Sequence, residues 1–295
     1  MDFVVSEKRR EVWNKELEIL DEIKRLCHKH HLPYYAIGGT LLGAKRHGGF
    51  IPWDDDIDIV MFRDDYNKFL EICKNELKQG YFLQTPDTDT HYYYSNAKIR
   101  DSNSTAIRKC NWKTNETFNQ GIFVDIIPLD NFPDDIKEGE KFLKKISRLQ
   151  YCIKLTQYWY KEAEENDFKS SLRYYIINTL IAIVGIERFY AYYISQCTKY
   201  NNTNTKRVSI IAEFPKANFI FYRQWFNEME CIKFENNEIA VPKRSIEILE
   251  HAYGDWKTPK MNSSMHGDIF YDTNKPYSLY LGKYEMYKDD KWYYL

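Results

Sequence analysis

IGGTLLGAKRHGGFIPWDDDIDIVM, residues 37–61, decides how the chain is read. Two glycine pairs, Gly38–Gly39 and Gly48–Gly49, bracket a short helix or turn, and residues 51–62 then interleave acids with β-branched apolar residues. Successive side chains of a strand alternate faces. If the strand begins early enough, Asp54, Asp56 and Asp58 share one face, and Ile57, Ile59 and Met61 meet covering helices on the other. Carboxylates this close repel one another, and a divalent cation is the usual compensation. Mg²⁺ takes oxygen ligands and keeps room for phosphate oxygens. A solvated acidic face is the plainer explanation, but the acids are interleaved with apolar residues. An EF-hand-like loop would put Asp54, Asp56, Asp58 and Asp65 at positions 1, 3, 5 and 12, but Ile59 stands where that loop needs glycine.

The glycine pairs before the acids allow close backbone approach to a ligand, and N–H groups at a helix start bind phosphate. Ordinary turns explain such pairs equally well. Neither a Walker A loop nor G-x-G-x-x-G is present. Lys45, Arg46 and His47 add a basic cluster, and a basic cluster facing acids is the pattern of a metal–phosphate site. Asp125, in GIFVDIIPLD (121–130), sits in a run expected to be buried, where an unpaired carboxylate is costly. It is read as a third metal ligand or general base, against a strand-end acid paired with a lysine or a backbone cap. Lys98 and Arg100, in SNAKIRD (95–101), are phosphate ligands or solvated edge charges. Tyr92, Tyr93, Tyr94, Trp112 and Phe118 are material for a cage around a quaternary ammonium, but the general aromatic excess supplies such sets anywhere. His47 is better placed than His266, which reads as a structural histidine.

The chain has 295 residues, 43% hydrophobic and 29% charged, with 42 basic and 43 acidic side chains. A net charge of −1 lacks the basic footprint of a nucleic-acid binder. Six dispersed cysteines without C-x-x-C read as free thiols, with no zinc site. The N-terminus has no apolar signal-like region, which points to a cytoplasmic protein. Periodicity predicts helices over 7–31 and 64–78, the latter capped by Asp64, and strands over 34–39, 51–62, 81–85, 91–101, 104–109 and 121–130. Residues 135–165 read as a helix, 225–242 as a hairpin turning at Asn236–Asn237, and SIEILEHAYGDW (245–256) as a helix ending near Gly254. Alternating elements argue for an α+β fold, a mixed β-sheet flanked by helices. Residues 172–194 are the most apolar run, too short to span a bilayer comfortably. They are either a core helix or an interfacial helix giving peripheral contact with the inner face of the membrane.

IGGTLLGAKRHGGFIPWDDDIDIVM resembles the signature of the LicD family of phosphotransferases, related to fukutin and fukutin-related protein. NAKIRDSNST, GIFVDIIPLD and AYGDW with Pro259 resemble its later segments; residues 135–220 resemble nothing in it. The resemblance implies a nucleotidyltransferase-type core over 1–134, a variable helical insertion over 135–220, and a C-terminal hairpin and helix over 221–295 completing the core. It implies transfer of a phospho-alcohol, phosphocholine first, from a CDP-activated donor such as CDP-choline to a glycan hydroxyl. CMP is released, and the acceptor belongs to lipopolysaccharide or teichoic acid synthesis and is in some cases lipid-linked. It further implies Mg²⁺ or Mn²⁺ on Asp56, Asp58 and Asp125. Gly38, Gly39 and Thr40 would bind donor phosphates, with Arg46, His47, Lys98 and Arg100 as further donor-side groups and Asp54 behind the metal or facing the acceptor. The alternative is a nucleotidyltransferase moving a nucleoside monophosphate to a small alcohol or sugar.

Overall fold

A computed structural model describes residues 4–108, 117–162, 168–260, 269–281, 284–288 and 291–294; Cys110, Trp112 and His266 lie outside them. Helix α1 (Glu7–Lys29) is capped by Ser6, whose hydroxyl accepts from the Arg9 N–H, and it buries Trp13, Leu17, Leu20, Ile23 and Cys27. A two-residue strand, β1 (Tyr35–Ala36), leads into α2 (Gly38–His47). Strand β2 (Asp58–Phe62) runs directly into α3 (Arg63–Glu76). Then come β3 (Tyr81–Gln84), β4 (Ala97–Asp101), β5 (Thr105–Arg108) and the long, wholly buried β6 (Ile122–Phe132). Helices α4 (Ile136–Glu162), α5 (Phe168–Val184) and α6 (Ile186–Cys197) precede β7 (Arg207–Ser209) and β8 (Ile220–Tyr222). The chain continues through a hairpin, β9 (Met229–Phe234) and β10 (Asn237–Pro242), to α7 (Ser245–Tyr253). It then adds β11 (Ile269–Asp272), β12 (Tyr284–Lys288) and β13 (Lys291–Tyr294).

The main sheet has the order β1-β2-β6-β4-β3. Strands β2 and β6 are parallel and the other neighbours antiparallel, so the sheet is mixed. Beyond residue 129, β6 leaves β2 and pairs with β7, which pairs with β8; the stretch read as a helical insertion over 135–220 thus contains β7 and runs into β8. Helices α1 and α3 pack on β6, and α3 is tied to it by the buried Arg63–Asp130 pair, 2.7–2.8 Å through two nitrogens. A second apolar cluster joins α4, α6 and residues 211–212 around Phe132, Ile146 and Tyr193.

Several expected boundaries move. Gly38 and Gly39 form the first turn of α2 rather than the end of a strand. The strand expected over 51–62 begins only at Asp58. Upstream, the Asp54 N–H bonds to the Ile51 carbonyl, and the Asp54 carbonyl accepts from Arg9 Nη1 at 2.7 Å and Trp13 Nε1 at 3.1 Å. Those backbone groups are taken by a turn and by α1, so no ladder forms. Asp64 lies inside α3 rather than capping it. The apolar run 172–194 is two helices broken at Gly185, whose φ of 88° suits glycine. Cys27, Cys73, Cys152, Cys197 and Cys231 are free.

Candidate active site

Register places the key side chains in one row. Asp125 on β6 lies opposite Asp58 on its parallel neighbour and opposite Lys98 on its antiparallel neighbour. Side chains at paired positions project from the same face, so two carboxylates and an ammonium meet across three adjacent strands. Asp56 joins them from the irregular segment before β2. Carboxylate oxygens of Asp56, Asp58 and Asp125 lie within 4.8 Å of one another, as do those of Asp54, Asp55 and Asp56. Asp56 and Asp125 are buried; Asp54 and Asp58 are half-buried and form the open side of the group.

Electrostatics report an excess of negative charge. Burial, then Asp58 and Asp54, push the Asp56 carboxyl well above its ordinary range. Burial, then Asp125 and Asp54, do the same to Asp58. Lys98 forms an ion pair with Asp125 Oδ1, and the same oxygen accepts from Asn96 Nδ2 at 2.6 Å. Burial pulls Lys98 down to about 8 against the opposing pull of Asp125. Among the described residues one ammonium is set against three converging carboxylates, an excess of negative charge that a divalent cation would offset. Hard oxygen ligands from β2, from the segment just before it and from β6 fit Mg²⁺ or Mn²⁺.

The start of α2 is pressed against these acids. A Cβ on Gly38 would stand 3.2 Å from Asp58 Oδ2, and one on Gly39 only 2.3 Å from Asp54 Oδ2. Only glycine lets the backbone come this close. Thr40 Oγ1 accepts from the Asp58 N–H at 2.8 Å, locking helix to strand. The helix N-terminus, with its unsatisfied N–H groups, thus faces the acids.

The other basic residues are placed differently from the grouping suggested by sequence. Arg46 Nη1 donates to the Trp256 carbonyl at 2.7 Å, and Lys45 binds Glu230 at 2.8 Å. His47 is exposed, its pKa lowered by burial of part of the ring and by Arg46. Arg100 is buried, donating to Gln84 Oε1 and the Gly121 carbonyl. The aromatic set divides. Tyr92 stacks on Tyr94 at 4.6 Å and meets Phe118 edge-on, whereas Tyr93 turns to Tyr190. Tyr92, Tyr94 and Phe118 share a small cavity with Phe123, Lys98, Arg100 and Arg108. Three cations there make it a poor cage for a quaternary ammonium.

Sequence reasoning passed over several neighbours. Asn96 holds Asp125. Tyr253 is exposed overall, and partial desolvation followed by Asp58, Asp54 and Asp56 raises its phenol pKa. Burial and then Asp55 and Asp54 raise the Glu16 carboxyl, and the Tyr271 hydroxyl donates to Asp55 at 3.3 Å. Asn96 and Tyr253 do lie in the quoted segments SNAKIRD and AYGDW. Glu16 looks like any acid of an amphipathic helix.

Comparison with known proteins is consistent with this geometry. Residues 31–143 match the family model described as LicD/FKTN/FKRP, nucleotidyltransferase domain. The chain is 29% identical over 244 residues to the lipopolysaccharide cholinephosphotransferase LicD of Haemophilus influenzae, covering 81% of this chain and 88% of that protein. It is 38% identical over 67 residues to an uncharacterized protein of Rickettsia typhi, covering 23% of this chain and 22% of the relative. A shorter match, 53% over 32 residues, is to the human ribitol 5-phosphate transferase FKRP, covering 11% of this chain and 6% of that protein. The row of Asp58, Asp125 and Lys98, and the α2 turn pressed against it, therefore lie within the stretch that matches the LicD-family domain.

Proposed function

We propose that this chain is a metal-dependent transferase that moves a phospho-alcohol group from a CDP-activated donor to a glycan hydroxyl and releases CMP. Phosphocholine, named for the Haemophilus relative, is the first expectation. The observation that carries this reading is the convergence of Asp56, Asp58 and Asp125 beside the N-terminus of α2. In this reading the core is nucleotidyltransferase-like, built from residues 1–134 and 221–295, and the 135–220 insertion lends β7 to its sheet.

Asp56, Asp58 and Asp125 would hold Mg²⁺ or Mn²⁺, which when bound neutralises charge on the donor diphosphate and the transferred phosphoryl group. Phosphoryl transfer asks mainly for positioning and charge stabilisation. The first-turn N–H groups of α2, from Gly38, Gly39 and Thr40, face donor phosphate oxygens. Lys98 and Asn96 grip one oxygen of Asp125, which leaves the other for a metal or for the proton of the acceptor hydroxyl. Half-buried Asp54, at the open side, orients the acceptor.

The test is a donor panel of CDP-choline, CDP-ethanolamine, CDP-glycerol and CDP-ribitol with a glycan acceptor, scored by CMP release with and without chelator. Chelator-sensitive CMP release with one donor supports the proposal. A nucleotidylated product formed from a nucleoside triphosphate, with no CMP from any CDP donor, would replace it with the nucleotidyltransferase alternative. Asp56→Ala and Asp58→Ala should each abolish transfer; near-normal turnover in both would remove these residues from the site.

A further inference from the structure

The apolar run of the insertion has a face that no element among the described residues covers. On α5, Tyr174, Ile177, Asn178 and Ile181 are buried or half-buried, facing α4 and α6, against which this helix packs. The opposite side is solvent-exposed: Ile176 is 52% exposed, Leu180 58% and Ile183 76%, with Tyr175 and Val184 beside them. The spacing 176, 180, 183, 184 is that of a single helical stripe. No charged residue falls between 174 and 184. Such a contiguous apolar face on a soluble surface marks an interaction site rather than scattered exposure.

We propose that this face of α5 docks on an anionic phospholipid surface, lying in the interface plane rather than crossing it. Among the described residues no helix is long and apolar enough to span a bilayer. Charge argues for lipid over a second copy of the chain. Residues 136–200 carry eleven basic and seven acidic side chains, whereas the whole chain is −1. Exposed Arg173 and Arg188 bracket the apolar stripe at its two ends. On the adjoining α6, Lys145 of α4 stands 5.8 Å from the centroid of the half-exposed Tyr192 ring. An apolar stripe rimmed by cations and tyrosines suits acyl chains below and anionic headgroups around it, whereas two copies would set like charges against each other.

The surface is also mechanically joined to the candidate active site. The Tyr190 hydroxyl on α6 donates to the Tyr94 carbonyl at 2.7 Å, and the Tyr93 hydroxyl to Glu187 at 3.1 Å. Two residues further on, Asn96 holds Asp125. Docking would therefore fix the height of the catalytic acids above the headgroups. That arrangement serves an acceptor carried on a lipid, so this inference extends the proposed function but is tested apart from it.

The experiment is vesicle co-sedimentation of the full chain with phosphatidylcholine vesicles and with equimolar phosphatidylcholine–phosphatidylglycerol vesicles, at low and high salt. We expect binding to the anionic vesicles at low salt, weakened by salt. The triple variant Ile176→Ser, Leu180→Ser, Ile183→Ser changes only exposed positions and should lose vesicle affinity by about tenfold or more, through lost apolar insertion. The pair Arg173→Glu, Arg188→Glu should lose the preference for the anionic vesicles. A wild-type chain that stays in the supernatant, or a triple variant that binds as the wild type does, overturns the proposal. So does a wild-type dimer in light scattering that the triple variant converts to monomer. Vesicle binding in a chain that releases no CMP from any donor would leave this inference standing and remove the proposed reaction.

Discussion

Asp125 illustrates how a single buried acid is made tolerable. Its Oδ1 receives both Lys98 and Asn96, and Lys98 also lies 3.7 Å from the centroid of the Phe123 ring. Removing one member of a buried pair leaves an uncompensated charge and costs about 3–5 kcal/mol. Lys98→Met should therefore destabilise the chain by that order in urea denaturation; an unchanged midpoint would mean that Asn96 alone suffices. Asp58 is the opposite case, because it is surrounded by Asp56, Asp125 and Asp54. Asp58→Asn removes a like charge at constant shape. The metal-free variant should melt a few degrees higher than the wild type, roughly what ~1 kcal/mol produces in a domain of this size, while transfer is lost. A lower melting temperature would assign the Asp58 charge a stabilising role instead.

Two of the three glycines of helix α2, Gly43 and Gly39, have opposite duties. A Cβ at Gly43 would meet the Gly49 carbonyl oxygen at 2.5 Å and the Ile51 nitrogen at 3.0 Å. Both are backbone atoms, so the helix and the loop behind it must separate. A Cβ at Gly39 would meet only the Asp54 carboxylate, at 2.3 Å, and a side chain can swing aside. Gly43→Ala should thus cost about 1–3 kcal/mol, the usual range for overpacking, with a matching fall in thermal midpoint. Gly39→Ala should leave the midpoint nearly unchanged but cut turnover, because it displaces Asp54 from the acid group. If the two variants behave alike, the close approach of α2 to the acids has no functional meaning.

Acid sensitivity of the whole chain should be governed partly by the seam between α1 and α3. Lys29 and His30 bind Glu76 at 2.7 and 3.0 Å, and hold its carboxyl down to about 2. Burial raises the Glu22 carboxyl, but Arg25 and Lys78 outweigh it and leave it below its usual range. Carboxyls depressed in the native state contribute stability that is complete above the unfolded value of about 4.3 and is lost as pH falls towards the folded value. The thermal midpoint should accordingly drop between about pH 4.5 and 2. Glu76→Gln should have a lower midpoint at neutral pH and a flatter decline over that acid range. A variant with the same acid slope as the wild type would move the effect to other carboxylates.

The alternating acids of 54–58, the glycine pairs before them and the lone Asp125 were legible because each breaks a local expectation: charge where apolar residues belong, or absent side chains where helices want them. Periodicity likewise announced α1, α3 and α7, since each buries one regular face; the β9–β10 hairpin was announced by turn residues, and its turn falls at Glu235–Asn236, one residue before the expected Asn236–Asn237, because Asn237 pairs with Phe234. What local pattern could not supply was the partner. Lys98 reads equally as an edge charge or a phosphate ligand until antiparallel pairing sets it opposite Asp125. Nothing near Arg9 or Trp13 announces that α1 will occupy the Asp54 carbonyl and so delay the start of β2. Nor does the sequence of 172–194 say which side is core, because a run apolar all round has no preferred face until α4 and α6 cover one side of it. Residue type and spacing determined the chemistry this chain carries. Long-range pairing, which joins residues far apart in sequence, decided which groups meet and which face is left to the solvent.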